Sequence, residues 1–175
     1  MEGLNTPRAN TLKCSITLSA PGLSNERITN AITAIDDESS MDNEIRFMTL
    51  VALNNTDSAD QVPFVCNNTD SPGLEFLANA ARVGTQFASF IPGLDLADVD
   101  EEILEAADFT LIHSDCSAST SCQTVLGEAA ESMFSSFCID ADLTENEICA
   151  DVDSAISNNS TPVDIGIALI GLFTP

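Results

Sequence analysis

Apolar residues follow two kinds of spacing along this chain, and each spacing predicts a different element. Residues 11–18 (TLKCSITL) set Leu12, Cys14, Ile16 and Leu18 against Thr11, Lys13, Ser15 and Thr17. That period of two predicts a half-buried strand. Ala20-Pro21-Gly22 breaks the pattern. Ser24 is placed to cap a helix whose Ile28, Ala31, Ile32 and Ile35 share one face. After an acidic turn, residues 44–53 (EIRFMTLVAL) are apolar on both faces over most of their length, the pattern of a central strand. Residues 61–66 read as a short strand, and Pro63 favours a sheet edge.

The second half is richer in the helical spacing. Ser71-Pro72 has the form of an N-cap followed by proline at the first helical position. The helix it opens, residues 74–90, carries Phe76, Leu77, Ala80, Ala81, Val83, Phe87 and Ala88 around much of its girth. It is therefore expected at the centre of the molecule. Asp98 and Glu101 form a capping pattern before a helix at 99–107, and residues 109–112 read as a buried strand. A stripe of Val125, Leu126, Ala129, Ala130, Met133, Phe134 and Phe137 predicts a helix over 123–137. Thr144 and Glu147 open another, which ends near Asn158-Asn159, and residues 163–173 (VDIGIALIGLF) read as a last strand. The predicted order is β-α-β-β-α-α-β-α-α-β. It implies an α/β or α+β fold, with residues 1–10 as an N-terminal arm and residues 11–175 as a single globular domain. A mixed sheet of four to five strands would be covered by about five helices.

Charge then narrows the partners. Twenty-eight acidic residues face only five basic ones, for a net charge of −23. Nucleic acid is excluded as a partner, since phosphate contacts need clusters of Lys and Arg. Anionic membrane surfaces are disfavoured for the same reason, and no apolar run is long enough to span a bilayer, so membrane insertion is not expected. Such a surface is at ease in salt, which screens its self-repulsion. The nine Phe stand alone among the aromatics, with no Tyr or Trp, so the core must be aliphatic and Phe-built.

Six cysteines, Cys14, Cys66, Cys116, Cys122, Cys138 and Cys149, read as three disulfides of an extracellular or cell-surface protein. The expected pairs are Cys14–Cys66 across neighbouring strands, Cys116–Cys122 around a loop of small residues, and Cys138–Cys149 across a helical hairpin. Glycosylation sequons at Asn54, Asn67, Asn158 and Asn159 lie in polar, turn-like stretches and agree with that compartment. Residues 1–30 contain no basic segment followed by an apolar one, so the sequence reads as a mature or trimmed chain without its signal peptide.

Candidate chemistry is sparse. His113 is the only histidine. Its neighbours Ser114 and Asp115 imitate a catalytic triad in sequence, but a triad is a spatial arrangement and no nucleophile-elbow motif is present. His113 with Cys116, Cys122 and Cys138 could ligate zinc, a reading the even cysteine count disfavours. Asp140, Asp142, Thr144 and Asp151 resemble part of a calcium loop, although Glu145 stands where such a loop needs glycine. Calcium there is the only cofactor the sequence suggests. Asp95, Asp98, Asp100, Glu101 and Glu102 read as a solvated helix start whose carboxylates complement the helix dipole. The expectation is a non-enzymatic structural or adhesive subunit of an extracellular assembly, such as a filament or surface protein, with itself as partner in a homo-oligomer or polymer. The alternatives are a secreted carrier of a small apolar ligand and a secreted hydrolase working through paired carboxylates.

Overall fold

The structure, a computed structural model, describes residues 6–36, 47–91, 93–96, 109–138 and 147–172. Eight helices cover most of these: α1 Pro7–Ser19, α2 Asn25–Asp36, α3 Thr56–Cys66, α4 Pro72–Ala88, α5 Phe109–Ala118, α6 Thr120–Met133, α7 Glu147–Asn158 and α8 Pro162–Leu172. Residues 47–50 are helical, and α6 runs on into a π-helical turn, Phe134–Cys138. Among the described residues every regular element is helical, so the expected mixed sheet is replaced by an all-α fold.

Each predicted strand fails for a physical reason. In residues 11–18 the alternation of two conceals two helical stripes. Cys14 and Leu18, four apart, are buried, while Leu12 and Ile16, also four apart, point outward. Thr6 caps this helix by accepting the Ala9 N–H at 3.3 Å, and Pro7 fills its first turn. Residues 7–10 of the expected arm are thus the first turn of α1. Residues 47–53 are buried on all sides, as a central strand would be, but they form a turn and a loop packed under α4. Residues 61–66 end α3, which tolerates Pro63 within it. Residues 109–112 open α5. In residues 163–172, Ile165 and Leu169 share the inner face of α8 with Ile170, and Ile167 lies outside. Thr161 and Asp164 close a capping pair there, with the Thr161 hydroxyl 2.6 Å from the Asp164 carboxylate.

The predicted helices from Ser24, from Ser71-Pro72, over 123–137 and up to Asn158 correspond to α2, α4, α6 and α7. Ser24 accepts the Arg27 N–H at 3.2 Å, as its capping role requires. The predicted helix at 99–107 lies outside the described residues.

Helix α4 organises the core. Ala78, Ala80 and Ala81 face a cluster built with Cys14, Leu18, Leu23, Ala31, Leu50, Val51, Leu53 and Val62. Val83 and Phe87 face a second cluster built with Val125, Leu126, Ala129, Ile165, Leu169 and Ile170. The first half of the bundle (α1 to α3) and the second (α5 to α8) thus meet on one helix that is apolar on both sides, as its girth implied. Polar clamps fix it from each side. Arg82 reaches Asp60 of α3 at 3.1 Å and Glu128 of α6 at 2.6 Å. The Asn79 amide donates to the Ser132 hydroxyl at 2.9 Å. Thr85, fully buried, accepts the Leu53 N–H at 2.7 Å and donates to the Ala81 carbonyl at 2.6 Å. It thereby satisfies a backbone donor in the loop that follows the 47–50 turn.

Helices α6 and α8 form the most intimate pair. A Cβ on Gly127 would strike the Pro162 carbonyl, and one on Gly166 would strike the Gln123 carbonyl. The contacts 127 to 162 and 123 to 166 run the two helices antiparallel with their backbones nearly touching. The His113 ring ties α5 to the end of α8 through Nε2, 3.2 Å from the Ile170 carbonyl.

Candidate functional site

The described surface carries a shallow groove of about 390 Å³ between α1 and α3. It is lined by Ile16, Thr17, Ala20 and Pro21 on one bank and by Asn55, Ser58 and Gln61 on the other. The two helices run antiparallel. Cys14 bonds to Cys66, Asn10 donates its amide to the Asn68 carbonyl at 3.0 Å, and the groove opens at the other end, where Pro21 faces Asn55. Asn55 also caps α3, its Oδ1 accepting the Ser58 N–H at 2.7 Å.

The floor of this end is held by backbone contacts. Gly22 adopts φ 101°, a left-handed conformation that few other residues tolerate, and its Cα side abuts Asn54. The Asn54 N–H donates to the Pro21 carbonyl at 2.8 Å. With its amide turned to match its neighbours, the Asn54 side chain donates to Pro21 at 3.0 Å and to the Leu96 carbonyl at 3.3 Å. Arg27 lies behind the turn, donating to the Leu50 carbonyl at 3.2 Å and the Gly22 carbonyl at 3.4 Å. Burial pushes the Arg27 pKa below its ordinary value.

Large apolar side chains of α1 and α3 face water. Leu12 is 61% exposed, Ile16 58% and Phe64 77%. Leu12 and Ile16 are one turn apart on α1. Phe64 lies one turn beyond Gln61, on the stretch of α3 between the groove and the Asn68 contact with α1. The same stripe of α1 begins with exposed Arg8, and α1 itself contains no acidic residue. What this arrangement can do is hold an apolar or amphipathic surface by contact. Its lining offers hydroxyl and amide groups for hydrogen bonds.

The residues singled out in the sequence are placed elsewhere. The cysteines form Cys14–Cys66, Cys116–Cys122 and Cys138–Cys149, the pairs expected from their positions. The first pair joins two helices rather than two strands. The second spans the break between α5 and α6, where Ser119 caps α6 by accepting the Cys122 N–H at 3.3 Å. Since these cysteines are disulfide-bonded, they do not present a zinc site with His113. Bonds of this kind form in oxidising compartments. Among the described residues no helix is long and apolar enough to cross a membrane.

Of the sequon residues, Asn54 is held by the two carbonyls named above. Asn158 and Asn159 donate their amides back to the Ser154 and Ala155 carbonyls, each at 2.7 Å. Asn67 is exposed at the end of α3. Of the calcium residues, Asp140, Asp142 and Thr144 lie outside the described residues, and Asp151 is exposed on α7. Asp95 is exposed, and the rest of its acidic cluster lies outside the described residues. Ser114 and Asp115 are exposed on α5 beside His113, whose ring is turned to the Ile170 carbonyl.

The groove was missed in the sequence because Ile16, Thr17 and Gln61 were read in strands, and the rest of its banks as a break at Ala20-Pro21 and a polar loop at 54–60. The signal was Thr6-Pro7, which has the same form as Ser71-Pro72 and turns Leu12 and Ile16 to the outside. Comparison with known proteins found no match for the chain among family models, curated proteins or solved structures.

Proposed function

We propose that the protein is a non-enzymatic structural or adhesive subunit of an extracellular assembly. The observation that carries this reading is the set of water-facing apolar side chains, Leu12, Ile16 and Phe64, beside a groove on a chain of net charge −23. Exposed apolar groups that adjoin one another, as Leu12 and Ile16 do one turn apart on α1, mark contact surfaces. The three disulfides support the same reading. They brace a small helical framework in the way secreted domains are braced, so that its surface is presented without unfolding. The role is one of holding rather than converting.

Sedimentation velocity on the oxidised protein tests this directly. Species larger than one chain should grow with concentration, and more so as salt screens the net charge. A protein that stays a single chain throughout, and that captures no other extracellular component, would sink the proposal. A second reading, as a carrier of a small apolar ligand, draws on the same open groove, where Ile16, Ala20 and Pro21 supply apolar contact. Native mass spectrometry of protein taken directly from its source would then show a retained ligand.

A further inference from the structure

Phe64 is the most exposed of the large apolar side chains described, and it stands three residues before the asparagine of a glycosylation sequon. The segment reads Phe64-Val65-Cys66-Asn67-Asn68-Thr69, with Asn67 as the acceptor and Thr69 as the hydroxyl residue. Helix α3 ends inside it. Asn67 is its C-cap, with φ −65° and ψ −5°, and its backbone N–H donates to the Pro63 carbonyl at 2.8 Å. The backbone is therefore still helical at Asn67, and Phe64 and Asn67 are neighbours one turn apart on the same side of α3. Side chains on a helix lean toward its N-terminus, which inclines Asn67 back over Phe64.

The other three sequons lack this arrangement. None has an aromatic residue one turn before its asparagine. Asn54 donates its amide to both the Pro21 and the Leu96 carbonyls, at 3.0 and 3.3 Å, and a sugar on that nitrogen would replace one of the two N–H groups. Asn158 and Asn159 turn their amides back onto α7, each 2.7 Å from a carbonyl, and Asn159 is half-buried. The Asn67 side chain is exposed and makes no hydrogen bond among the described residues. In the turn that follows it, the Asn68 amide donates to the Phe64 carbonyl at 2.9 Å and the buried Thr69 hydroxyl donates to the Cys66 carbonyl at 2.9 Å. Those bonds fix the helix end and leave the Asn67 amide to solvent.

We infer that Asn67 carries an N-linked oligosaccharide whose first sugar packs on the ring of Phe64. The transfer is a substitution without redox change. The Asn67 amide nitrogen attacks C1 of the first sugar of a lipid pyrophosphate-linked oligosaccharide. The nitrogen–C1 bond forms, the bond from C1 to the phosphate oxygen breaks, and the lipid pyrophosphate leaves as an anion while the amide proton passes to a base of the transferase. Because the Thr69 hydroxyl is buried in the folded chain, the sequon is read before the turn at 66–71 forms. In the folded protein, one face of the sugar ring presents C–H groups, which suit the negative face of the Phe64 ring and cover its apolar area. The inference needs export through an oxidising compartment, to which the disulfides point, and does not depend on the assembly role. The contact surface proposed above then rests on Leu12 and Ile16.

Two measurements test the inference. In the first, protein isolated from its source is treated with peptide-N-glycosidase in heavy-oxygen water and its peptides are mapped by mass spectrometry. Position 67 should carry the heavy-oxygen aspartate that glycan release leaves, while Asn54, Asn158 and Asn159 remain asparagine. A bare Asn67 would overturn the inference, as would equal occupancy of all four sequons, and neither outcome touches the assembly role. Conversely, a glycosylated protein that stays a single chain would remove that role and leave this inference standing. The second measurement is a double-mutant cycle of exposed positions: Phe64→Ala, Asn67→Gln and the two together, secreted with the wild type from the same glycosylating cells. Far-UV circular dichroism should show all four folded alike. Asn67→Gln should lower the Tm by several degrees when Phe64 is present and leave it level in the Phe64→Ala background. Equal shifts in both backgrounds would overturn the packing of the sugar on Phe64. The same cycle in chains made by cells without N-glycosylation should show no coupling, and coupling there would overturn the inference by assigning the effect to the Asn67 amide itself.

Discussion

The α6–α8 contact makes a sharp prediction about three glycines. In Gly166→Ala the new methyl would meet the carbonyl oxygen, carbonyl carbon and Cα of Gln123, all backbone atoms that cannot rotate away. Helix α8 must move outward to admit it. Overpacking of a well-filled interface costs about 1–3 kcal/mol, and rigid backbone neighbours place this site toward the upper end. The substitution also improves helix propensity by about 0.8–1.0 kcal/mol. The net expectation is a loss of about 1–2 kcal/mol. Gly127→Ala should behave alike, because its methyl would meet the Pro162 backbone.

Gly171, five residues further along α8, supplies the control. Nothing lies within 4 Å of a Cβ built there. Only the propensity gain remains, reduced near the helix end to about 0.5 kcal/mol. Two Gly→Ala changes on one helix should therefore shift stability in opposite directions. Urea unfolding followed by circular dichroism at 222 nm measures both. Tryptophan fluorescence is no substitute, since the chain contains no Trp. At about 2–4 °C per kcal/mol for a chain of this length, Gly166→Ala should lower the Tm by several degrees while Gly171→Ala leaves it level or raises it. A Gly166→Ala protein as stable as the Gly171→Ala protein would refute the close approach of α6 and α8.

Other consequences can be checked the same way. Removing Cys14–Cys66, whose partners are 52 residues apart, should cost about 4 kcal/mol in the chain-entropy account. Removing Cys116–Cys122, 6 apart, should cost about 2.4 kcal/mol, and the order of their melting temperatures checks the difference. Thr85→Val keeps the shape but leaves the buried Leu53 N–H without its acceptor, so denaturant unfolding should show a loss of about 1–3 kcal/mol. Arg82→Met should cost up to about 1 kcal/mol at low salt, because Asp60 and Glu128 are themselves well exposed. Part of that loss should disappear in 1 M NaCl, where the Debye length is about 3 Å, and a difference independent of salt would show that packing of the Arg82 stem is what matters.

The sequence revealed the disulfides and half the helices for different reasons. Cysteine pairing depends on proximity along the chain and between neighbouring elements, and both survive an error of element type. That is why Cys14–Cys66 was found although neither partner lies on a strand. The helices that were recognised have a continuous apolar stripe, as at Val125, Leu126, Ala129 and Ala130, or a marked start, as at Ser71-Pro72. The segments misread as strands lack one of these. On α1 half of the apolar residues face water, so the period of 3.6 is overlaid by an alternation of two. On α8 nearly every residue is apolar, so no period remains. Thr6-Pro7 and Thr161-Pro162 carry the same start signal as Ser71-Pro72, and reading them alike would have turned both segments into helices. The groove follows from that correction, because only a helix at residues 7–19 sends Leu12 and Ile16 outward while burying Cys14 and Leu18.

The placement of the cross-links also sets how the molecule answers tension. Each disulfide closes within one half of the bundle, and none joins the halves. A chain pulled by its ends cannot pay out the segment between Cys14 and Cys66, and those 52 residues would otherwise release about 180 Å of contour length. Load passes through sulfur at that point and through side-chain contacts where α4 meets α6. That seam, with the Arg82–Glu128 and Asn79–Ser132 contacts across it, carries load without a disulfide, whereas each half is closed by its own.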